Sequence, residues 1–284
     1  MKKIVYFLIY NQFLLLIILL VIFCFFIFNF LFVSSNTNLK VYFLDVGQGD
    51  AIYVRSNTHD MLIDTGPGKN VLSELGRFMP IYDRKIDVVL ITHLDKDHVG
   101  GLLDVLSSYS VDYLIMPATE CDIALCEELE DFDIKRITAH AGLRINLGPD
   151  TLATVVFPNT KTEEKDRNTL STVLRLEFGE SSFLFMGDSP QKVEEYLRNK
   201  FGDFLHADVL KLGHHGSKTS SGEKFLDIVS PLYAIVSAGE GNSYGHPNKE
   251  VLDIVSSVGS SILSTLGGGA VVCEGFVNKN PVCN

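Results

Sequence analysis

Thr92-His93-Leu94-Asp95-Lys96-Asp97-His98-Val99-Gly100-Gly101 places two imidazoles and two carboxylates within six residues. The run Asp87-Val88-Val89-Leu90-Ile91 before it has the continuous apolar character of a buried strand. Gly100-Gly101, followed by Leu102, Leu103, Val105 and Leu106, reads as a helix start. A strand-to-helix loop therefore carries four potential metal ligands. Neutral imidazole together with carboxylate suits zinc, manganese or iron. A lone His or Asp at such a place is commonly a cap or a satisfied polar residue, but that explanation does not extend to four of them. The density assigns His93, Asp95, Asp97 and His98 to a metal site.

Three further loops carry chemistry. Phe183-Leu184-Phe185-Met186 is a buried-strand pattern ending in Gly187-Asp188. Asp188 is either a cap for a helix opening at Ser189-Pro190 or a carboxylate at a sheet edge, able to bridge two metals. Asp208-Val209-Leu210-Lys211-Leu212 leads into Gly213-His214-His215-Gly216-Ser217. Adjacent side chains on an extended backbone point opposite ways. One of His214 and His215 is therefore expected to ligate, the other to face substrate or an outer carboxylate. Tyr244-Gly245-His246-Pro247-Asn248 is the third. His-Pro alone is usually just a turn; beside the others, His246 is expected to hydrogen-bond a substrate oxygen or act as proton donor. Five of the eight histidines lie in these loops, and His59, His140 and His206 read as structural.

Around the loops, strands are expected at 40–44, 51–55, 61–63, 87–91, 111–116, 134–138, 151–157, 170–177, 182–186, 208–212, 233–237, 261–264 and 270–274. Helices are expected at 71–78, 99–107, 123–129, 191–201, 223–229 and 249–257. Consecutive strands early, then strands alternating with helices, predict an α/β (α+β) domain of sheets covered by helices.

The first 33 residues are unlike the rest. Lys2 and Lys3 precede a nearly unbroken apolar stretch, and Phe13 to Val33 holds 21 residues with one polar member. At ~1.5 Å per residue that length spans roughly 30 Å, a bilayer core. A buried core helix is seldom so long and uncharged. A cleaved signal peptide would have a shorter apolar region and small residues at its cleavage site. An uncleaved transmembrane helix is expected, with secretion after cleavage as the alternative. Positive charge before the span puts the N-terminus in the cytoplasm and the rest outside. Residues 1–38 thus read as cytoplasmic stub, anchor and polar linker, and 39–284 as one domain. Cys24 lies in the span. Cys121, Cys126, Cys273 and Cys283 are free to form disulfides outside the cytoplasm, in a pairing that sequence leaves open.

Net charge is −11, and Lys2 and Lys3 lie before the domain, which therefore carries −13. Such a domain is unsuited to broad, sequence-independent binding of nucleic acid.

Taken in order, these motifs resemble the metallo-β-lactamase superfamily, whose signature H-x-H-x-D-H is matched here by His93-x-Asp95-x-Asp97-His98. Phe43-Leu44-Asp45-Val46-Gly47-Gln48-Gly49-Asp50-Ala51, Leu62-Ile63-Asp64-Thr65-Gly66, Gly187-Asp188, Val209 through Ser217 and Tyr244 through Pro247 resemble one branch of it. That branch is the C-terminal domain of the ComEC-type competence proteins of DNA uptake. The resemblance covers residues 39 to 275. It implies a four-layer αββα sandwich with one or two divalent metal ions, zinc or manganese, at one edge. With one N-terminal span instead of a multi-helix channel, the chain reads as a stand-alone relative.

The resemblance also implies roles. His93 and Asp95 would hold a first metal; Asp97 and His98, with His214 or His215, a second; Asp188 would bridge. Asp64 would orient the ligand loop. Asp45, Gln48, Asp50, Asn168 and Ser217 are expected behind the metals or against substrate. Asp95 stands where many members have histidine. The histidine expected about twenty residues before the bridging aspartate is absent, with Asn168 near its place. The first site is therefore expected to be oxygen-rich and short of nitrogen, and either to bind metal weakly or to prefer manganese to zinc.

The implied chemistry is hydrolysis by metal-activated hydroxide, since a bound cation lowers the pKa of water toward roughly 7. Asp97, His246 and Lys218 are the expected catalytic residues, Lys218 stabilising developing charge. The leading expectation is a phosphodiesterase or nuclease acting on single-stranded DNA. A groove for DNA would draw on Lys69, Arg77, Arg84, Lys85, Lys96, Lys211, Lys218 and Lys249. A small or envelope-attached phosphodiester or ester is the alternative substrate, needing less positive charge. A β-lactamase fits the ligand set less well. A non-catalytic, metal-stabilised surface module is the remaining class.

Overall fold

A computed structural model describes residues 2–34, 39–117, 123–159 and 166–284. It falls into two compact units, residues 1–37 and 38–284. The expected linker at 35–38, and Cys121, lie outside the described residues.

In the first unit, helix α1 runs Lys2–Ser34. Its described side chains, 12–28, are exposed and apolar apart from Gln12. At ~1.5 Å per residue they make about 25 Å of helix. Among the described residues no helix is long and apolar enough to cross a membrane.

The second unit opens with β1 (Leu39–Phe43), β2 (Ile52–Ser56) and β3 (His59–Ile63), followed by α2 (Asn70–Phe78) and β4 (Lys85–Leu90). The short turn α3 (Lys96–Val99), α4 (Leu102–Ser108), β5 (Ser110–Met116), α5 (Ile123–Leu129) and β6 (Lys135–Thr138) complete its first half. The second half contains β7 (Arg144–Asn146), β8 (Thr151–Phe157), β9 (Val173–Phe178), β10 (Ser181–Phe185), α6 (Gln191–Phe201), β11 (Val209–Lys211), α7 (Glu223–Val229), β12 (Tyr233–Val236), α8 (Lys249–Ser257) and β13 (Ser261–Ser264). Strands β14 (Val271–Gly275) and β15 (Val282–Cys283) return to the first half.

Two sheets result, ordered β15-β14-β1-β2-β3-β4-β5-β6 and β13-β12-β11-β10-β9-β8-β7. Period-two alternation sends Val41, Phe43, Val54, Ile63 and Leu90 toward Leu174, Phe183, Phe185 and Val209 of the other sheet in one apolar core. The opposite faces bury Tyr53, Leu62 and Val89 under α2 and α4, and Leu184, Leu210 and Ala234 under α6, α7 and α8. Helix, sheet, sheet, helix is the αββα sandwich that the resemblance implied.

Three local readings change. The helix expected over 99–107 is two pieces. Gly100 and Gly101 pack so closely that a Cβ would stand 2.4 Å from the carbonyl oxygens of Pro67 and Thr65 respectively. Asp97 and His98 thus sit on their own short turn, α3. The strand expected from 170 begins at Val173, because Asn168–Leu170 forms a 3-10 turn. Strands β7 and β15 are too short to show periodicity. β15 is tied by a disulfide between its Cys283 and Cys273 of β14, opposite each other in register; Cys126 is also disulfide-bonded.

Candidate metal centre

β3 and β4 are parallel, and β1, antiparallel to β2, runs the same way. In the second sheet β10, β11 and β12 are parallel. The loops leaving the C-terminal ends of all six carry the chemical residues, and hydrogen bonds lock them to one another. Asp50 N–H donates to Asp97 O (3.2 Å), Thr65 N–H to His98 O (2.7 Å), Thr172 N–H to Thr92 O (2.9 Å) and His214 N–H to Gly187 O (3.0 Å).

Asp188 stands at the centre, 3% exposed. Its Oδ2 is 3.7 Å from both His93 Nε2 and His214 Nε2. Its Oδ1 is 3.3 Å from His98 Nε2 and 3.6 Å from His215 Nε2. Asp95 Oδ2 approaches His93 Nε2 at 3.8 Å, and Asp97 Oδ2 approaches His215 Nε2 at 3.4 Å. One carboxylate is thus shared by two sets of donors: His93, Asp95 and His214 on one side, Asp97, His98 and His215 on the other.

The orientation of the rings fits metal ligation. His98 Nδ1 lies 2.8 Å from Asp64 Oδ2, His215 Nδ1 lies 2.9 Å from Ser237 O, and His93 Nδ1 lies 3.1 Å from Thr92 Oγ1. A ring whose Nδ1–H is engaged presents the lone pair of Nε2. The Nε2 atoms of His93, His98 and His215, with Asp188 Oδ1, are buried and have no hydrogen-bond partner. Unsatisfied buried polar atoms are costly, and four of them gathered around one carboxylate are accounted for by divalent metal. Ligand atoms of Asp50, His98, Asp188 and His215 all lie within 4.8 Å of one another. Asp50 stands behind His215, on its Nδ1 side at 3.4 Å, with its other oxygen 2.8 Å from Lys211 Nζ. It therefore orients the ring, as Asp64 does for His98.

Electrostatics follow the packing. Burial, reinforced by neighbouring His98, pushes His93 down to about 4, leaving a neutral imidazole at pH 7. Burial opposes charge on His215, but Asp188 and Asp50 outweigh it and lift the ring to about 9. Burial would raise Asp188, yet His215 and His98 hold it well below the usual carboxylate range.

The donors open into a small cavity of about 110 Å³ lined by Gln48, Asp95, Asp97, Asp188, His214, His215, Tyr244 and His246. Both histidines of the adjacent pair converge there, where the sequence reading expected one. Each adopts a left-handed backbone, φ 48° for His214 and 56° for His215, so the alternation of an extended chain does not apply. His214 Nε2 also stands on the His93 side of Asp188, a second nitrogen where the sequence reading expected a shortage. Its Nδ1 lies 3.2 Å from Thr219 Oγ1, which in turn bonds Ser217 Oγ at 3.0 Å. Ser217 therefore acts inside its own loop.

Other expected residues stand elsewhere. The Lys218 side chain is exposed and does not line the cavity. Asn168 lies in the 3-10 turn, also outside the cavity lining. Asp45 accepts from Gly47 N–H and shapes the β1 turn, whereas Gln48 reaches the cavity and accepts from Gly239 N–H. Two contributors were not singled out. Thr92, directly before His93, donates its backbone N–H and its Oγ1–H to Asp64, both at 2.7 Å. Arg167 donates to Asp95 Oδ1 and to Leu94 O, each at 3.3 Å; its only signal was its place beside Asn168.

Residues 44–240 match the family model of the metallo-beta-lactamase superfamily. The chain belongs to that superfamily. Its members are generally metal-dependent hydrolases, in keeping with the buried donors. ComE operon protein 3 of Bacillus subtilis (strain 168) is 30% identical over 267 residues, covering 85% of this chain and 34% of that protein. Competence protein ComA of Neisseria gonorrhoeae is 32% identical over 239 residues, covering 80% and 31%. The chain spans about a third of the length of these curated relatives. Among solved structures, the metallo-beta-lactamase fold protein YhfI from Bacillus subtilis superposes with a TM-score of 0.57 at 16% identity, covering 84% of this chain and 100% of that one. CmlA, a diiron beta-hydroxylase from Streptomyces venezuelae, does so at 0.53 and 16%, covering 82% and 53%. At such identities the likeness is one of fold.

Proposed function

We propose that this superfamily member is a membrane-anchored phosphodiesterase that cleaves nucleic acid outside the membrane, in DNA uptake or degradation. The observation that carries the reading is Asp188 shared between two donor sets and lining a cavity of about 110 Å³. The similarity to proteins named for competence supports nucleic acid as the substrate. The apolar N-terminal stretch supports the anchor.

His93, Asp95 and His214 would hold one ion, Asp97, His98 and His215 the other, with Asp188 between them. Imidazole and carboxylate in this ratio suit zinc or manganese. Such a pair, when bound, supplies Lewis acidity and lowers the pKa of water. Asp64 and the Ser237 carbonyl hold two of the rings in their ligating tautomer, with Asp50 beside the second. His246 lines the cavity, and burial together with His214 keeps its ring below the ordinary imidazole range. It is thus neutral at pH 7 and able to hydrogen-bond a substrate oxygen. Arg167 steadies Asp95 at the rim.

A second reading, a small or envelope-attached phosphodiester, draws on the charge of the domain, −13. The full chain in detergent, assayed with manganese or zinc on single-stranded DNA and on bis-p-nitrophenyl phosphate, separates the two. Cleavage of both, lost in Asp97→Ala, is expected; cleavage of the small diester alone selects the second reading. Metal binding with silence on both substrates would leave a binding module. Protease added to intact cells should digest the domain; protection that ends on permeabilisation would overturn the topology.

A further inference from the structure

Tyr244 is 68% exposed and yet lines the metal cavity. Its ring lies nearly parallel to that of His246, 5.9 Å between centroids and 16° between planes, and His246 in turn stands 5.5 Å from His214. The loop is pinned beneath it. Asn242 accepts from His246 N–H at 3.0 Å and donates to the carbonyls of His246 (2.6 Å) and Gly239 (3.0 Å). The aromatic face is therefore held at the rim, one ring away from a metal donor, with its outer side open to solvent.

Of the eight cations offered for a nucleic-acid groove, five are engaged elsewhere, Arg84 lies over the Tyr109 ring, and Lys96 and Lys218 are exposed but outside the cavity lining. Lys69 pairs with Asp104, Arg77 with Glu74, Lys85 with Asp87 and Asp112, and Lys249 with Asp253. Lys211 is fully buried against Asp50. Among the described residues the cavity is lined by three carboxylates and no Lys or Arg. A strand arriving here meets little positive charge. Aromatic stacking supplies a grip that needs none, and it tolerates any base because every base has a π face.

We propose that Tyr244 is a base-stacking platform for single-stranded nucleic acid, holding the nucleotide beside the phosphodiester presented to the metal centre. The proposal rests on the phosphodiesterase reading for the fate of that phosphodiester, but not for binding itself.

The test is equilibrium binding by fluorescence anisotropy, using the full chain in detergent on the Asp97→Ala background to keep the strand intact. The probes are 12-mers of oligothymidylate, of oligouridylate and of a fully abasic deoxyribose-phosphate strand. Tyr244→Ala is expected to weaken binding of a base-bearing strand about tenfold. Tyr244→Phe should restore it to within about twofold, and the abasic strand should bind equally weakly with or without the ring. Binding should weaken less than about threefold between 50 and 200 mM salt, the slope of about one phosphate contact on a single strand. Loss in only one of the two base-bearing strands would still support the platform and tell DNA from RNA. Indifference of both to Tyr244→Ala, or an equal loss with the abasic strand, would overturn it. Base-dependent binding without cleavage in the Asp97 protein would sink the nuclease reading and keep the platform. Cleavage of a small diester without oligonucleotide binding would do the reverse.

Discussion

Lys211 Nζ lies 2.8 Å from Asp50 Oδ2, and the two side chains are 0% and 1% exposed. Asp50 in turn stands 3.4 Å from Nδ1 of His215. Against burial, which would raise it, Lys211 and His215 hold the Asp50 carboxyl well below its ordinary range. Removing one partner of a buried pair strands the other charge. Lys211→Met is therefore expected to cost about 3–5 kcal/mol, read as a shift in the urea midpoint at constant slope. A loss under about 1 kcal/mol would show that Asp50 is satisfied without the lysine.

Glu194 on α6 accepts the backbone N–H groups of Ser221 and Gly222, clamping the far end of the loop that carries His214 and His215. Burial pushes its carboxyl from 4.5 up to about 7, although both hydrogen bonds oppose the rise. Between these pH values the folded chain holds a proton that the unfolded chain has lost, so stability falls as pH rises from 4.5 through 7. The difference between wild type and Glu194→Gln should change by about 3 kcal/mol across that window, wild type losing ground with rising pH. A pH-independent difference would contradict the assignment.

Asp188 faces His214 with one oxygen and His98 with the other. Metal content measured by elemental analysis should accordingly fall by one ion per chain in His214→Ala. In Asp188→Ala it should fall to near zero. Chelation should lower the melting temperature of wild type, by the equivalent of about 2.7 kcal/mol when free metal had stood at 100 times its Kd. A His214→Ala protein that keeps its full complement would restore the expectation that only one histidine of the pair ligates.

Gly49 has φ +126°, and a Cβ there would stand 2.0 Å from the backbone oxygen of Asp97. Gly49→Ala must push the Asp97 turn away. We expect a loss of at least about 2 kcal/mol in stability, with weaker metal binding, from a residue that touches no metal. Unchanged metal affinity would mean that α3 tolerates the shift.

How far the sequence could be read differs from residue to residue. The placement of His93, Asp95, Asp97, His98 and Asp188 in loops off strands was legible because each follows a continuous apolar run. The behaviour of the His214-His215 pair was not, since it depends on two successive left-handed residues, which the extended-chain rule does not describe. Arg167 and Tyr244 gave no periodic signal. One gains its place from Asp95, 72 residues away, and the other from the His246 ring beside it.

The sequence by itself determined the alternation of strands and helices, sheets covered by helices and the loops that hold the donors, because these follow from local hydrophobic period and turn chemistry, whereas the two-sheet sandwich was implied by resemblance alone. Tertiary structure decided which nitrogen His98 and His215 present, since Asp64 and Ser237 reach those rings only through folding. It also decided that Lys211 is a buried partner of Asp50 rather than part of a surface groove. A side chain's charge is written in the sequence; whether that charge meets water, a carboxylate or a ligand depends on what the fold packs against it.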